Sequence, residues 1–253
     1  MAEIYDAIGT TYAIGRRSDP CIASHIHRVL SGAESILNLG AGTGSYEPAH
    51  KRIVAVEPSE AMIKQRGSDA AVVVKANAES LPFAAQSFSH CLSILSMHHW
   101  VDRPRAFDEI KRVTRNRLVV VTWDPQAAPF WLTRDYFPQV YEIDGQIFPT
   151  LAEFRDSFSV IDVSVLPIPA NCLDGFTGAY WRRPAAYLDP EILANMSTFA
   201  RIEDLDDPIS RLRNDLESGA WEERNKEILA QNSLDIGYRI VTAELGQANR
   251  ITR

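Results

Sequence analysis

Ser35-Ile-Leu-Asn-Leu-Gly-Ala-Gly-Thr-Gly-Ser45 decides how this chain is read. The apolar run Ile36 to Leu39 suits a short buried strand, and glycines follow at alternate positions, Gly40, Gly42 and Gly44. Glycine accepts positive φ and lets backbone pass close to a ligand. A glycine turn at the carboxyl end of a parallel strand is where open α/β sheets hold nucleotide-like molecules. The spacing is G-x-G-x-G. A dinucleotide fingerprint requires glycine where Ser45 stands, and no Gly-Lys-Ser/Thr ending marks a P-loop.

Three downstream stretches add weight. Arg52-Ile-Val-Ala-Val-Glu-Pro-Ser59 reads as a second buried strand that stops on an acid, Glu57, followed by Pro58. A carboxylate at that place can accept both hydroxyls of a ribose. Ser59 fits an N-cap for a helix over 60–66. A third apolar run, 71–74, leads into Lys75-Ala-Asn-Ala-Glu-Ser-Leu-Pro-Phe83, a polar loop. Its Asn77 and Glu79 side chains and Ala78 amide can meet an adenine edge. Residues 90–95 read as a fourth strand, with Ser96-Met-His-His-Trp100 at its carboxyl end, facing the same cleft.

In Asn38–Gly44, Val56–Ser59, Asn77–Phe83 and Leu95–Trp100 the sequence resembles the class I S-adenosylmethionine-dependent methyltransferases of the type-11 (ubiquinone/menaquinone methylase-like) group, over about residues 35–125. The resemblance implies S-adenosylmethionine as cofactor. It also implies a cofactor site made of Asn38, Gly40, Ala41, Gly42, Gly44, Glu57, Pro58, Asn77, Ala78, Glu79 and Ser93. A helix over 4–16 would fold across the cofactor and bring Tyr12 and Arg16 to its methionine end. Two departures stand out. The family's usual acid before the glycine turn is Asn38 here, and 44–52 is short and contains Pro48, leaving one or two helical turns at most.

The rest of the chain alternates strands and helices. Asp19-Pro20 caps a helix running to about Ser31 and stopping at Gly32. Ala106, Phe107, Ile110 and Val113 form one apolar face of a helix over 102–114 that returns to a fifth strand, 118–123. Thr150 and Glu153 match a capping box for a helix reaching 158. Strands six (160–166) and seven (236–245) pair antiparallel at the sheet edge in the resembling family. Between them, 167–234 holds helical stretches near 175–187, 190–200, 208–218 and 221–230; Asp189-Pro190 and Asp207-Pro208 open two of these. This insertion leaves strand six on the cofactor side, so it is placed to roof the cleft and recognise substrate. The expected fold is α/β: a Rossmann-like seven-stranded, mostly parallel sheet with helices on both faces and a helical insertion between strands six and seven. One domain spans 1–253: helical cover 1–34, cofactor core 35–125, its continuation 126–166, cap 167–234, and last strand with tail 235–253.

Composition narrows the partners. The chain has 253 residues, a net charge of −7 and 45% hydrophobic residues. The acidic balance argues against nucleic acid. No run of 18 apolar residues suggests a membrane span, and the N-terminus lacks a basic, apolar leader, so a cytoplasmic monomer or homodimer acting on a small molecule is expected. Cys21, Cys91 and Cys172 include no C-x-x-C, and His25 and His27 sit two apart on different sides of a helix, so no metal is expected.

Methyl transfer from a sulfonium requires alignment and exclusion of water, with a base only where the acceptor must shed a proton. His98 and His99 are the candidates for that base. Trp100 and Trp123 read as cleft walls, and Trp181-Arg182-Arg183 as solvated surface or a grip for an aromatic or anionic substrate. The acceptor atom could be O, N or C. Ser45 and the histidine-tryptophan turn disfavour the rival reading of a nicotinamide-dependent oxidoreductase, and Asn38 keeps open a non-catalytic S-adenosylmethionine-binding regulator.

Overall fold

A computed structural model describes residues 16–246. Tyr12 and the helix expected over 4–16, apart from Arg16, lie outside the described residues. Asp19 accepts hydrogen bonds from the Cys21 and Ile22 amides and opens helix α1, Pro20–Val29, which buries Ile22 and Ile26. Strand β1, Ser35–Leu39, sends Ile36 to one face of the sheet and Leu37 and Leu39 to the other, and all three are fully buried. Both faces of a parallel sheet are covered, which is why the strand reads as continuously apolar.

Strand β2 (Arg52–Val56), helix α2 (Glu60–Lys64), strand β3 (Val72–Val74) and strand β4 (Phe88–Ile94) follow. Helix α3 (Arg103–Val113) then packs Phe107 and Ile110 on the face opposite α1. Strand β5 spans Thr114–Trp123 and starts four residues before the apolar run. Its polar beginning is held by ladder bonds on both sides, and Arg117 faces Glu244 across the ladder at 2.6 Å. Helices α4 (Pro138–Ile147) and α5 (Leu151–Ser157, with the capping box formed) lead to strand β6 (Ile161–Val165).

Two short strands, β7 (Ile168–Pro169) and β8 (Ser233–Leu234), form an unforeseen ribbon at the root of the insertion. Strand β9, Tyr238–Glu244, then runs antiparallel between β5 and β6. The sheet order is β3-β2-β1-β4-β5-β9-β6, the expected seven strands with β9 alone reversed. The chain leaves β1 towards β2 and leaves β4 towards β5. Their carboxyl ends therefore diverge and open a crevice at the switch point.

The insertion is less helical than its sequence suggests. Over 175–187 the chain turns without an α-helix, because Ala179, Trp181 and Tyr187 all sink fully into the core. The stretch 190–200 breaks after Ala194, where Met196, Thr198 and Phe199 are buried in succession. The third helix starts at Asp206, placing Asp207 and Pro208 inside its first turn rather than at its cap. Trp131, Tyr187 and Trp221 meet edge to face, with Trp131 at 5.1 Å from Trp221 and 5.6 Å from Tyr187. These rings anchor the insertion to the segment before α4. Among the described residues no helix is long and apolar enough to cross a membrane.

Candidate active site

At the switch point lies a cavity of about 560 Å3, lined, among the described residues, by residues from Arg16 to Arg105. Its floor is the glycine turn. The Gly40 and Ala41 amides donate to the Val56 carbonyl at 2.9 and 3.1 Å, which turns the chain sharply off β1. Gly40 has φ +64°, and a side chain there would strike Ser96. Gly42 has φ +51° and open space where its Cβ would be, so a ligand can lie against bare backbone.

Glu57 sits at the end of β2 with both carboxylate oxygens directed by backbone. The Gly42 amide donates to Oε2 at 2.8 Å and the Ser59 amide to Oε1 at 2.9 Å. Burial pushes the carboxyl pKa up, while those two amides and the Arg66 charge pull it down. The acid is thus fixed beside the glycine turn, and each oxygen keeps lone-pair capacity for a hydroxyl. Pro58, Asn77, Ala78 and Glu79 line the same cavity. Glu79 also ties two loops together, its Oε1 accepting the Val101 amide at 2.8 Å.

The two departures in the sequence are linked. No helix forms between Gly44 and Arg52. Instead Glu47 and Arg66, both nearly buried, pair at 2.8 Å, and the Arg66 guanidinium donates to the Gly42 carbonyl at 3.0 Å. The Asn38 amide donates to Glu47 at 3.0 Å. A carboxylate at position 38 would face Glu47 as a like charge, so asparagine fits this neighbourhood where an acid does not. Gly44 belongs to this cluster, its Cα facing Glu47 and Arg66 rather than lining the cavity.

Ser93 also stays outside the cavity. It is fully buried, and its hydroxyl lies 2.7 Å from that of Ser96, which bonds the Leu39 carbonyl and does line the cavity. The two histidines part company. His99 lines the cavity, whereas His98 lies behind it, stacked on Phe148 at 4.2 Å and tilted against His99 at 3.8 Å, with no hydrogen-bond partner for Nδ1 among the described residues. A short 3-10 turn over Met97–His99 rotates successive side chains apart, which places the pair on different sides. Burial, then His99 and nearby arginines, hold the His98 imidazole well below its ordinary pKa, and His99 is brought down to about 4 by burial and by Arg201, so both are neutral at pH 7.

Arg16 lines the cavity and is braced from the insertion by Asp174, at 2.5 Å. The Tyr46 hydroxyl donates to the other oxygen of Asp174 at 2.8 Å. The insertion therefore touches the rim of this cavity but supplies none of its lining. Trp181 is neither surface nor a substrate grip: it is fully buried and donates to the Ile168 carbonyl at 2.9 Å. Arg183 donates to the Cys172 carbonyl and covers the Tyr180 ring.

Sequence reasoning missed Tyr46 and Leu95 as lining residues. Tyr46 and Leu95 adopt left-handed backbone, with φ 64° and 47°. Such conformations are costly for side-chain-bearing residues and gather where a site demands them, but a sequence shows no sign of them.

Residues 37–121 match the family described as methyltransferase domain. A demethylmenaquinone methyltransferase of Clavibacter sepedonicus is 23% identical over 202 residues, covering 76% of this chain and 80% of that protein. Among solved structures, one described as a methyltransferase from an antibiotic biosynthesis pathway of Anabaena variabilis is 29% identical. It aligns with 87% of this chain and 96% of its own at a TM-score of 0.79. A methyltransferase of Thermotoga maritima, 15% identical, shares the fold at a TM-score of 0.54 over 96% and 93% of the two chains. With the glycine turn, the β2 acid and the seven-stranded order in place, residues 37–121 form a methyltransferase domain, and the chain has the fold of the class I S-adenosylmethionine-dependent methyltransferases.

Proposed function

We propose that this enzyme transfers the methyl group of S-adenosylmethionine to a small planar or apolar molecule. The observation that carries this reading is the Glu57 carboxylate, held by the Gly42 and Ser59 amides inside a cavity that also takes in the loop Asn77–Glu79. About 560 Å3 is within the range of sites that enclose a nucleoside-sized ligand. The cofactor supplies a methyl group on a sulfonium that is already a good leaving group.

In this reading Glu57 accepts the ribose hydroxyls, Asn77 and the Ala78 amide meet the adenine edge, and the bare backbone at Gly42 receives the chain between ribose and methionine. Asn38 donates one amide hydrogen to Glu47 and keeps Oδ1 to accept from an ammonium. Arg16, braced by Asp174, meets a carboxylate. His99, neutral at physiological pH, orients the acceptor by accepting a hydrogen bond, and His98 supports its ring from behind. A group with a pKa of about 4 takes protons poorly at pH 7, so alignment and exclusion of water dominate over base catalysis. The net charge of −7 favours a small acceptor over a polyanion.

Titration calorimetry with S-adenosylhomocysteine tests the cofactor assignment. Glu57→Gln keeps the shape but loses charge-assisted bonds worth about 1.5–3 kcal/mol, so the Kd is expected to rise roughly 10- to 100-fold. An unchanged Kd, or tighter binding of NAD than of S-adenosylhomocysteine by the native enzyme, would remove the reading.

A further inference from the structure

Asp174 follows β7 in the insertion and is only 1% exposed, yet both of its oxygens are bonded to residues that line the cofactor cavity. Arg16 donates from Nε to Oδ1 at 2.5 Å and from Nη2 to Oδ2 at 3.4 Å. The Tyr46 hydroxyl donates to Oδ2 at 2.8 Å. Burial, then the Asp174 charge, push the Tyr46 pKa up, so the phenol stays protonated and keeps donating. The neighbouring Leu173 amide donates to Asp19 Oδ2 at 3.0 Å, the side chain whose other oxygen caps α1. This turn of the insertion is thus fastened to the start of α1 and to the cavity rim at once.

Tyr46 needs such fastening. Its φ of 64° is a conformation that side-chain-bearing residues resist. Its amide donates to the Ser18 hydroxyl at 2.9 Å, its carbonyl accepts from His27 at 3.1 Å, and its hydroxyl accepts the Asp19 amide at 3.3 Å. Those partners lie within residues 18–27, and Asp174 adds one from the insertion. A buried carboxylate that accepts from a guanidinium and a hydroxyl fixes both donors, because departure of either leaves it undercompensated. An arginine ordered in advance loses less side-chain freedom when a ligand binds. The amino-acid end of the cofactor carries a carboxylate and an ammonium together, so it brings no net charge towards Asp174.

We propose that Asp174 is a positioning residue for the amino-acid end of the cofactor. It touches neither the cofactor nor the reacting atoms. It acts through Arg16, which it orients at the cavity, and through Tyr46, whose turn it holds. The inference rests on the cofactor reading and deepens it: the insertion contributes to cofactor binding through the two lining residues it bonds.

Titration calorimetry with two ligands separates this from a merely structural role. S-Adenosylhomocysteine carries the amino-acid end, whereas methylthioadenosine has the same nucleoside and sulfur without it. Asp174→Asn keeps the size of the side chain and loses its charge. It is expected to raise the Kd of S-adenosylhomocysteine about tenfold and to move that of methylthioadenosine by less than about twofold. Arg16→Gln should give the same pattern, and the double variant should bind no more than about twofold worse than the poorer single one. Equal weakening of both ligands, no weakening of either, tighter binding of S-adenosylhomocysteine, or fully additive losses overturn the proposal. Should Asp174→Asn not fold, as judged by circular dichroism, Tyr46→Phe decides, since it removes one donor from Asp174. A change of about threefold in the ratio of the two Kd values, against S-adenosylhomocysteine, then supports the role, and an unaltered ratio refutes it. Failure of S-adenosylhomocysteine to bind the native enzyme removes the cofactor reading and this inference with it, whereas native binding with an unaltered ratio in Asp174→Asn removes this inference alone.

Discussion

The cofactor rim and the insertion are held together by different physics. At the rim, backbone amides, a bare glycine turn and the buried Glu47–Arg66 pair fix every group within hydrogen-bond distance. In the insertion, Trp181 and Trp221 are almost wholly buried, as is Trp131 of the segment before α4, and they meet their neighbours chiefly through ring edges and apolar contact. Directional bonds to backbone hold a ligand site to fractions of an ångström. Apolar packing demands volume and shape and tolerates many sequences that supply them. The rim is thus the more exacting of its residues, and the insertion the more tolerant.

Breaking the packed side should cost the most. Trp131→Leu removes four edge-to-face contacts, with Phe130, Tyr136, Tyr187 and Trp221, and the bond from Nε1 to the Trp181 carbonyl. A loss of about 2–4 kcal/mol in unfolding free energy is expected from urea denaturation, with S-adenosylhomocysteine affinity unaltered under conditions where the variant is folded. A tenfold fall in that affinity would show that the two regions do not separate.

A smaller effect is expected at the rim, and its sign is informative. Asn38→Asp restores the acid usual in the family, yet here it sets a carboxylate where the Asn38 amide lies 3.0 Å from Glu47. The two acids repel, the turn loses a donor, and cofactor affinity is expected to fall about tenfold, or ~1.4 kcal/mol. Tighter binding by the variant would mean that Glu47 moves aside and that the linked cluster is not a unit.

His99 stands on the border of the two regions and gives the smallest change. Its pKa falls from 6.5 in the unfolded chain to about 4 in the folded one. The unfolded chain therefore binds more protons between those values, and stability is full above 6.5 and lost as the pH falls towards 4. Asp144, raised by burial from 3.8 to about 6, works in the opposite sense, losing stability as the pH rises through its folded value. Comparing His99→Asn with the native enzyme isolates the first contribution. Between pH 7.5 and 5 the variant should lose about 1 kcal/mol less than the native chain, after allowance for partial solvent screening. Equal losses would place the His99 ring in water.

The fold was legible because its signals are local. Ile36, Leu37 and Leu39 advertise a strand covered on both faces, and Gly40 and Gly42 advertise a bend that ordinary residues resist. The capping box at Thr150 and Glu153 is equally self-contained. The insertion misled for the complementary reason. Over 175–187 helix propensity competes with the burial of Trp181 and Tyr187, and burial, worth more per residue, sets the path.

By itself, then, the sequence determined the succession of strands, the glycine turn, the acid after β2 and the methyltransferase class, all carried by residues close together in the chain. Tertiary structure alone decided which histidine meets the cavity and that Glu47 and Arg66, 19 positions apart, replace the first crossover helix. It alone brought Thr198 to Asp144 across 54 positions and Asp174 to Arg16 across 158. Charges so distant in the chain leave no periodic trace, because their partners are chosen by the packing of whole elements and not by spacing along the backbone.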